Sequence, residues 1–555
     1  MTCLNEQHDP NSGSCLLKLF AFFLQRNYIY NMKRIITYTL LTFSTLHCMA
    51  KGIGNGSSGS ASISGIVNKY AAVVSFSSQG TFTEFTVDTA SVFAAGDLVL
   101  LIQMQGVVAD LSNTANYGEI QNFKNTGNFE YVTVKSVTGS IVQTSKIQKS
   151  YDSSGKLQLV KVPQYKSVVV IGALTGLPWN GEKGGIIAVD AVDTMTMQAN
   201  IIANGLGFRG GIPKKDQTNS ADDTNYVKNN YLGGMKGEGV AGRGDTSNVN
   251  IYGRGSIANG GGGGNNHNAG GGGGANAGCG GTGGWGYYSY LQPNSQGIGG
   301  FSLASAINNG KIFLGGGGGA GQVNDNFLSV PGNGGGIVII TAGTIAGNNN
   351  NIFANGTDGT NNNGYDGAAG GGAGGTVLLY ADSIANLNAT GKGGKGGDPK
   401  NFFNQHLTAP GGGGGGGLIR IKNQAIVMNV TNSVDSGAAG ICDTSSYGAL
   451  AGCKGLIFES LDIVHPPVSV GKLSGNEMLS LGLYPNPARD RVELTLLSGR
   501  LDIVRLSVYD VSGRQCYETV FEGYSKTIDV SQWKPGIYFF RIMTSDGAGI
   551  IKMVR

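Results

Sequence analysis

The carboxylates between residues 184 and 460 are the side chains of this sequence best suited to catalysis. No glutamate lies between Glu238 and Glu459, whereas eight aspartates occupy that span. A pair of carboxylates can cleave a glycosidic bond, and β-helical folds often carry such enzymes. No aspartate recurs at equivalent positions of the repeats in this region, so we interpret these residues as solvated turn residues. If the protein did cleave glycans, the residues to test first would be Asp358, Asp366 and Asp382.

Histidines and cysteines suggest no further catalytic site. His267 and His406 are the histidines of this region, and neither has an i+4 partner or a neighbouring nucleophile, so we predict no catalytic residues, no zinc site and no enzyme. Cys442 and Cys453 flank a short Gly/Ser-rich loop and are predicted to form a disulfide, which export would permit. Two other cysteines are predicted to be unpaired, Cys279 and Cys516.

Three short motifs are weak indicators of ligand binding. Gly205–Gly210 matches GxGxxG without a helix after it, and Arg243–Asp245 is an RGD tripeptide of a kind that occurs often by chance. Asp358 and Asn361–Asp366 offer oxygen atoms that could hold calcium in a turn, but the repeating calcium signature is absent. We predict no cofactor, with calcium at that turn as the one candidate.

One aromatic cluster stands out in a region otherwise rich in Asn, Gly, Ser and Thr: Trp285, Tyr287, Tyr288 and Tyr290. Such a surface suits multivalent contact with glycans or with other cells. Alternatively, the aromatic rings fill a gap between glycine segments. The sequence leaves both interpretations open.

The composition points to close backbone packing. Glycine supplies 97 of 555 residues, charged residues make up 13%, and the net charge is +4 with no long basic run. Nucleic acid is therefore not a predicted partner. Collagen would require a strict Gly-X-Y period, and a flexible linker would lack the interleaved apolar runs. What remains is a fold whose backbones approach more closely than a Cβ atom allows.

The first fifty residues contain a secretory signal. Met32–Arg34 provides a start and a basic segment, Ile35–Leu46 is apolar, and Ala50 ends a cleavage site of small residues. We predict that translation starts at Met32, that residues 1–31 are an upstream extension, and that residues 32–50 are the signal peptide. Neither early apolar stretch reaches the ~20 residues that span a bilayer, so no transmembrane helix is predicted.

The next part of the chain, residues 51–183, is predicted to be a β-rich domain. Strands are expected at Leu98–Met104, Phe129–Val137, Leu157–Val162 and Ser167–Ile171, since these runs are apolar or alternating and are bounded by turn residues. We expect a small sandwich, or a cap on the first repeat that follows. Trp179 is interpreted as a core aromatic.

Residues 184–460 form a glycine-rich repeat region. Each unit opens with two glycines and a β-branched run and closes on a small residue and glycine; the last three copies open at Gly335, Gly374 and Gly416, which are 39 and 42 residues apart. Such units stack, which predicts a solenoid or parallel β-helix. Long glycine runs connect them, for example Gly260–Gly264 and Gly270–Gly274. These runs are either flexible or ordered as polyglycine-II helices.

The last 80 residues, 476–555, carry a set of ordered motifs after a linker at 461–475. The motif residues are Tyr484, Pro485, Asn486 and Pro487 at the start, Asp510, Gly513 and Arg514 in a hairpin turn, Pro535, Gly536 and Tyr538 before a strand, and Lys552 in the last strand. The spacing of strands and turns predicts an Ig-like β-sandwich. The motifs resemble the C-terminal sorting domain of the type IX secretion system.

That resemblance implies a route of export. The chain would enter the periplasm and then be recognised by the outer-membrane translocon, and the mature protein would be released or attached to the cell surface at the outer membrane. The central region resembles the glycine-rich parts of bacterial surface proteins and of some phage tail adhesins. The sequence as a whole predicts an all-β, non-enzymatic adhesin or surface-structural protein that contacts glycans or other cells. The alternatives are a carbohydrate-active enzyme, either hydrolase or lyase, on a β-helix, and a passive matrix component.

Overall fold

The computed structural model describes residues 52–215, 224–228, 232–243, 251–287, 294–400, 408–463, 481–496, 503–544 and 547–555. The predicted signal peptide, its cleavage site at Ala50 and most of the linker lie outside these residues. The described chain is nearly all β-strand, as the sequence predicts. One short helix, α1 at Ala304–Asn308, and one 3-10 turn at Ala90–Val92 accompany the strands.

The strands fall into three groups along the chain. The first group is β1 Ala61–Ile66, β2 Lys69–Gln79, β3 Phe82–Val87, β4 Leu98–Gln103, β5 Val108–Ala109, β6 Ile120–Asn122, β7 Phe129–Thr138, β8 Ile141–Ser145, β9 Leu157–Val162, β10 Gln164–Tyr165 and β11 Val168–Thr175. The second is β12 Ile186–Met197, β13 Ile201–Ile202, β14 Ile337–Phe353, β15 Thr376–Tyr380, β16 Ser383–Thr390, β17 Leu418–Lys422, β18 Ile426–Ser433 and β19 Leu456–Leu461. The third is β20 Leu481–Tyr484, β21 Arg491–Leu496, β22 Ile503–Asp510, β23 Gln515–Glu522, β24 Ser525–Asp529, β25 Ile537–Thr544 and β26 Gly547–Val554.

The N-terminal part is a closed barrel in the strand order β2-β3-β8-β7-β4-β9. The expected strands are present, but the barrel differs from the expected sandwich. Strands β11 and β1 of this part stack in parallel beside β12, at the position of the alternative, a cap on the first repeat. Closure leaves the barrel without free strand edges. The continuous apolar run of β4 is explained because both of its faces are buried: Val99 and Leu101 lie in the barrel core, whereas Leu98 and Leu100 pack against the repeat strands.

The repeat units stack in parallel and in register. Ile337, Thr376, Leu418 and Leu456 are successive partners across β14, β15, β17 and β19, which accounts for the 39- and 42-residue spacing of the opening glycines. A second row of parallel pairs joins the later part of β14 to β16 and β18. We call these the first row and the second row of the repeat strands.

The two rows face each other across an apolar core. Alternate residues of the first row, such as Val338 and Ile340, meet Ile345 and Ile384 of the second row, and all four are fully buried. The intervening residues of the first row, such as Ile339, point the other way and pack against the barrel. The first row is thus buried on both faces, which explains its continuous β-branched composition.

A buried carboxylate holds the N-terminal segment of the described chain against these strands. Asp190 of β12 accepts hydrogen bonds from the amides of Ile53 at 2.6 Å and Gly54 at 3.0 Å, and from the Thr341 hydroxyl at 2.5 Å. Burial raises the pKa of Asp190 to about 6, although these three donors oppose the shift. A Cβ at Gly52 would lie 2.5 Å from the Ala191 carbonyl oxygen, so this segment fits only as glycine.

The C-terminal module is a β-sandwich of two antiparallel sheets, ordered β20-β21-β24 and β23-β22-β25-β26. Its core joins Val492 and Leu494 of one sheet to Val508 and Phe540 of the other. The β-sandwich expected here from the spacing of strands and turns is present.

Candidate functional site

The glycine runs form extended segments that hydrogen-bond to one another laterally, with a period of three residues. Gly261 and Gly264 donate to the carbonyls of Gly317 and Ala320, at 2.9 Å each. The two residues between them donate to other neighbours: Gly262 to the Ile298 carbonyl at 2.8 Å and Gly263 to the Gly253 carbonyl at 2.9 Å. Three residues per turn with lateral hydrogen bonds is the geometry of polyglycine II, so the runs are ordered helices and not flexible linkers.

The segment around Gly315–Gly319 shows how densely these helices pack. It exchanges backbone hydrogen bonds with six surrounding segments, namely 208–211, 235–238, 261–264, 269–275, 332–335 and 367–373. The segments at 270–275 and 367–375 are likewise each surrounded by six partners. Interior helices therefore satisfy nearly all of their backbone amides with backbone carbonyls. Ala369 is an exception, since its amide donates to the Ser329 hydroxyl at 2.9 Å.

Close packing explains why these positions are glycine. A Cβ built at Gly316, Gly317 or Gly319 would lie 2.0 Å from the carbonyl oxygen of a neighbouring helix. No side chain fits at that distance without moving a backbone. The GxGxxG match at Gly205–Gly210 belongs to the same arrangement, because a Cβ at Gly207 or Gly210 would lie 2.3 or 2.6 Å from a neighbouring carbonyl oxygen.

Side chains at intervals of three line one edge of the bundle and replace the missing outer neighbour. Asn355, Asp358 and Asn361 accept hydrogen bonds from the amides of Lys392, Lys395 and Asp398, at 2.7, 2.7 and 3.0 Å. Each acceptor lies 37 residues before its donor. The Asp358 carboxylate and the Asn361 amide, considered above as calcium ligands, thus have a structural role as caps of backbone amides.

The other two candidate aspartates also have structural partners. Asp366 is buried and accepts hydrogen bonds from the amides of Asn324, Asp325 and Phe327 at 2.9, 3.0 and 2.7 Å. Burial raises its pKa, while the three amides act in the opposite direction. Asp382 forms an ion pair with Lys422 on the neighbouring strand. Within the described residues there is no group of three or more His, Cys, Asp or Glu side chains placed to hold a metal.

Glu238 and Trp179 belong to a buried polar cluster. The Glu238 carboxylate pairs with Arg209 at 2.7 Å and accepts hydrogen bonds from the Trp179 indole at 3.1 Å and the Gln105 amide at 3.2 Å. Trp179 is 2% exposed and packs edge-on against Phe208, as expected for a core aromatic. Of the RGD tripeptide only Arg243 is described, and its guanidinium donates to the Gly210 carbonyl.

The turns that join the glycine helices gather at one end of the bundle. Backbone hydrogen bonds connect the residues next to these turns: the amides of Gly270, Gly284, Gly367 and Gln322 donate to the carbonyls of Gly284, Pro410, Gln322 and Ala269, respectively. At the opposite end the helices run directly into β14, β15, β17 and β19. We call the surface formed by turns 265–268, 285–287, 323–330, 361–366 and 441–448 the distal face.

Aromatic pairs link neighbouring turns of the distal face. The ring centroids lie 4.9 Å apart for His267 and Tyr287, 5.6 Å for Trp285 and Tyr447, and 5.2 Å for Phe327 and Tyr365. Each pair joins two different turns. Burial lowers the pKa of His267, so its ring is less readily protonated than a free imidazole. Two members of the cluster expected from the sequence, Trp285 and Tyr287, therefore lie here, and the other two, Tyr288 and Tyr290, fall outside the described residues.

Exposed apolar and polar side chains surround these aromatic pairs. Leu328 is 39% exposed and Val330 is 53% exposed, beside the exposed Asp325 and Asn326. Because the helices below consist of glycine, only the turns and the outer edge can present side chains to a partner. Sequence reasoning missed this face because its members are separated by up to 180 residues, and the clue available was the recurrence of an aromatic residue in each turn.

The disulfide predicted between Cys442 and Cys453 is wrong. Cys453 is bonded to Cys279, and Cys442 is a buried free thiol 3.9 Å from the Thr408 hydroxyl. The amide of Cys453 donates to the carbonyl of Cys279 at 2.8 Å, so two adjacent glycine helices bring these residues together across 174 residues of sequence. Cys516 is free, as expected.

The sorting motif residues meet at the end of the C-terminal sandwich. The Asn486 amide donates to the Lys552 carbonyl at 2.7 Å, and its oxygen accepts from the Val554 amide at 2.9 Å, which fixes the Tyr484–Pro487 segment to the last strand. Gly536 exchanges two backbone hydrogen bonds with Arg555, at 2.9 Å each. Tyr538, after Pro535 and Gly536, donates from its hydroxyl to the Lys534 carbonyl at 2.7 Å.

The hairpin motif of the same module is a charged turn. Asp510 pairs with Arg514 at 3.0 Å and accepts from the Ser512 amide at 2.9 Å, and Gly513 adopts a left-handed φ of +80°. The pKa of Asp510 is lowered: partial burial acts to raise it, and the Ser512 and Arg514 hydrogen bonds outweigh that effect. Tyr484 is 82% exposed and Lys552 is exposed, so both are available to a partner.

Two solved structures show similarity to the chain. Dimeric latent PorU from Porphyromonas gingivalis is 17% identical over 19% of this chain and 11% of its own, with a TM-score of 0.12. The Gp54 tailspike of Acinetobacter baumannii bacteriophage AP22, solved with capsular saccharide, is 11% identical over 89% of this chain and 85% of its own, with a TM-score of 0.13. Both scores are too low to support an argument about fold or function. No curated protein matches the chain.

The family comparison concerns the C-terminal module. Residues 482–554 match the model described as the secretion system C-terminal sorting domain. This match and the motif geometry agree with the resemblance drawn from the sequence. The chain is accordingly a secreted or cell-surface protein exported by the type IX secretion system, with which its C-terminal module interacts. No helix among the described residues has the length and apolar character needed to cross a membrane. By this match, the C-terminal module of the chain, residues 482–554, is a secretion system C-terminal sorting domain.

Proposed function

We propose that the exported protein is a non-enzymatic adhesin that binds glycans at the cell surface or on other cells through the distal face of its glycine bundle. The observation that carries the proposal is that six aromatic rings from five turns, five of the rings partly exposed, lie together at one end of a bundle whose helices consist largely of glycine. Aromatic rings flanked by carboxylate and amide groups are suited to the mixed apolar and hydroxyl surface of sugars.

The rigid bundle favours binding over catalysis. A glycan-cleaving enzyme would use Asp358, Asp366 and Asp382. Here the first two accept hydrogen bonds from backbone amides, and Asp382 forms an ion pair with a lysine. A preorganised surface loses little conformational entropy when it binds. Attachment of the mature protein to the outer membrane would place several copies side by side, so that weak individual contacts add up to firm adhesion.

The test is retention on insoluble polysaccharides and on whole cells. Purified secreted protein would be incubated with each, the suspension centrifuged, and the supernatant assayed for released sugar. We expect protein in the pellet and no sugar in the supernatant. Release of sugar would replace the adhesin by a carbohydrate-active enzyme, and absence of retention on every surface would favour a passive matrix component.

A pair of variants assigns retention to the distal face. Tyr287→Ala together with Leu328→Ala removes a ring and an exposed apolar side chain from that face and should reduce retention by roughly tenfold, since two contacts of about 0.7 kcal/mol each are lost. Ile171→Ala is the matched control, because Ile171 is an equally apolar side chain, 56% exposed, on β11. Equal loss in both variants would rule out the distal face as the binding surface.

A further inference from the structure

The last repeat unit leaves the apolar core of the repeat strands open. Ile345 and Ile384 are fully buried, but Val427, the next residue in the same register column, is 40% exposed. In the first row, Ile419 is fully buried and its partner Ile457 is 41% exposed. Both columns point into the core, so these side chains are exposed because no described repeat follows them.

The backbone at this end is open along β18 and less so along β19, which carries Glu459 and whose pairing with β17 is irregular between Arg420 and Lys422. Within the described residues β18 pairs only with β16, and β19 pairs only with β17. Strands at the edge of a sheet are usually protected by lysine, proline or a bulge. The sequence of β18, Ile-Val-Met-Asn-Val-Thr-Asn-Ser, contains no charge and no proline, and its Ile426 and Met428 are 60% and 54% exposed.

The opposite end of the second row is protected. Strand β1 is six residues long, and its pairing with β11 is interrupted by a bulge between Ile63 and Gly65. Its inward residue Ile63 is only 6% exposed. The two ends of the stack therefore differ. The end at β1 is a poor partner for the end at β18 and β19, so head-to-tail stacking of copies into a filament is disfavoured.

We propose that the last repeat unit is a dimerisation surface, on which the same end of a second copy of this chain docks about a two-fold axis. A partner that fits this surface must offer apolar side chains to cover Val427 and Ile457. It must also offer a strand edge that can pair with β18. The like end of a second copy supplies both. Antiparallel pairing of β18 with its counterpart, on either side of the left-handed Asn429, brings no like charges together, because this strand is uncharged; in β19 the one charged residue is Glu459. A contact between identical ends closes at two copies.

Sedimentation velocity of the purified secreted protein over a concentration series tests the proposal. The wild-type protein should sediment as a dimer. Val427→Lys places an ammonium at the centre of the contact and should raise the dimer dissociation constant at least about tenfold. Ile171→Lys is the matched control, since it changes an exposed isoleucine on β11, away from the last repeat unit, and should leave the dimer intact.

The results of these sedimentation experiments either support or overturn the dimer. A wild-type protein that remains monomeric throughout the series would overturn the proposal, and so would dimers that resist Val427→Lys. If Val427→Lys lowered the melting temperature and so prevented a clear result, Met428→Lys would take its place, because that side chain is already largely in solvent. The readout does not involve glycans, so failure of the adhesin proposal would leave this result unaffected.

Discussion

Addition of one methyl group to the glycine bundle should be strongly destabilising at one position and nearly neutral at another only three residues away. Gly394 and Gly391 are both buried, and neither has a left-handed backbone. A Cβ at Gly394 would lie 2.1 Å from the Thr357 carbonyl oxygen and 2.4 Å from its carbon. At Gly391 the nearest atom would be 3.3 Å away. Comparison of the two alanine variants therefore separates the effect of close backbone contact from the other effects of replacing glycine.

The expected magnitudes follow from these distances. A Cβ and a carbonyl oxygen need roughly 3.4 Å, so Gly394→Ala must separate its helix from that of Thr357 by about 1 Å. This weakens the two 2.9 Å hydrogen bonds between these helices, from the Gly356 and Gly359 amides to the Lys392 and Lys395 carbonyls. Overpacking of this kind costs about 3 kcal/mol or more. Gly391→Ala should lie within about 1 kcal/mol of wild type, because the reduced freedom of the unfolded chain offsets a slight contact.

The melting temperature of the full chain is the measurement, followed by hydrogen exchange of the bundle amides. At about 2–4 °C per kcal/mol, Gly394→Ala should melt roughly 6–12 °C lower, and Gly391→Ala within about 4 °C of wild type. Since the chain contains several modules, the comparison is between the two variants and not with a two-state free energy. Equal melting temperatures for the two variants would refute the conclusion that backbone contact requires glycine here.

Three other predictions concern the disulfide, a buried acid and the sorting domain. Cys279→Ser should lower stability by about 5 kcal/mol, as expected for a link that closes 174 residues, whereas Cys442→Ser should have little effect; thermal melts without reductant distinguish them. Asp190, whose pKa is raised to about 6, binds its proton more tightly in the folded state, so its contribution is complete below the unfolded pKa near 4 and is lost as the pH rises through 6. Wild type should therefore lose up to about 3 kcal/mol between pH 4 and pH 7 relative to Asp190→Asn, with Asp193→Asn as the exposed control that keeps the wild-type profile. Removal of residues 482–554 should leave the protein inside the cell, and Asn486→Ala, which removes two hydrogen bonds to the last strand, should reduce the exported fraction; cell fractionation measures both, and undiminished export of the truncated chain would contradict the assigned role.

Local patterns allowed much of the strand structure to be predicted. β9 begins at Leu157 and ends at Val162, as the apolar run indicates, and the stacking interval follows from Gly335, Gly374 and Gly416. The sorting motifs were recognisable because strand and turn residues there are consecutive in sequence. In each case the residues that determine the structure lie within a few positions of one another.

Long-range features could not be predicted for a physical reason. Glycine runs are alike, so nothing in their sequence specifies which runs become neighbours, and the approach of Cys279 to Cys453 depends on that choice. Closure of the barrel depends on β2 meeting β9 across nearly ninety residues. The distal face was hidden for the same reason, since Trp285 meets Tyr447 only after the bundle has assembled.

The three-residue period of the bundle also has a consequence for how such a protein can change over evolutionary time. A helix with three residues per turn and a rise of about 3.1 Å presents the same hydrogen-bonding pattern after every third residue. Insertion of one Gly-Gly-Gly step into both helices of a hairpin would carry its turn outward by about 9 Å and leave the strands undisturbed. The distance between the repeat strands and the distal face could thus change in discrete steps. The turn sequences could change as well, while the repeat strands stayed the same.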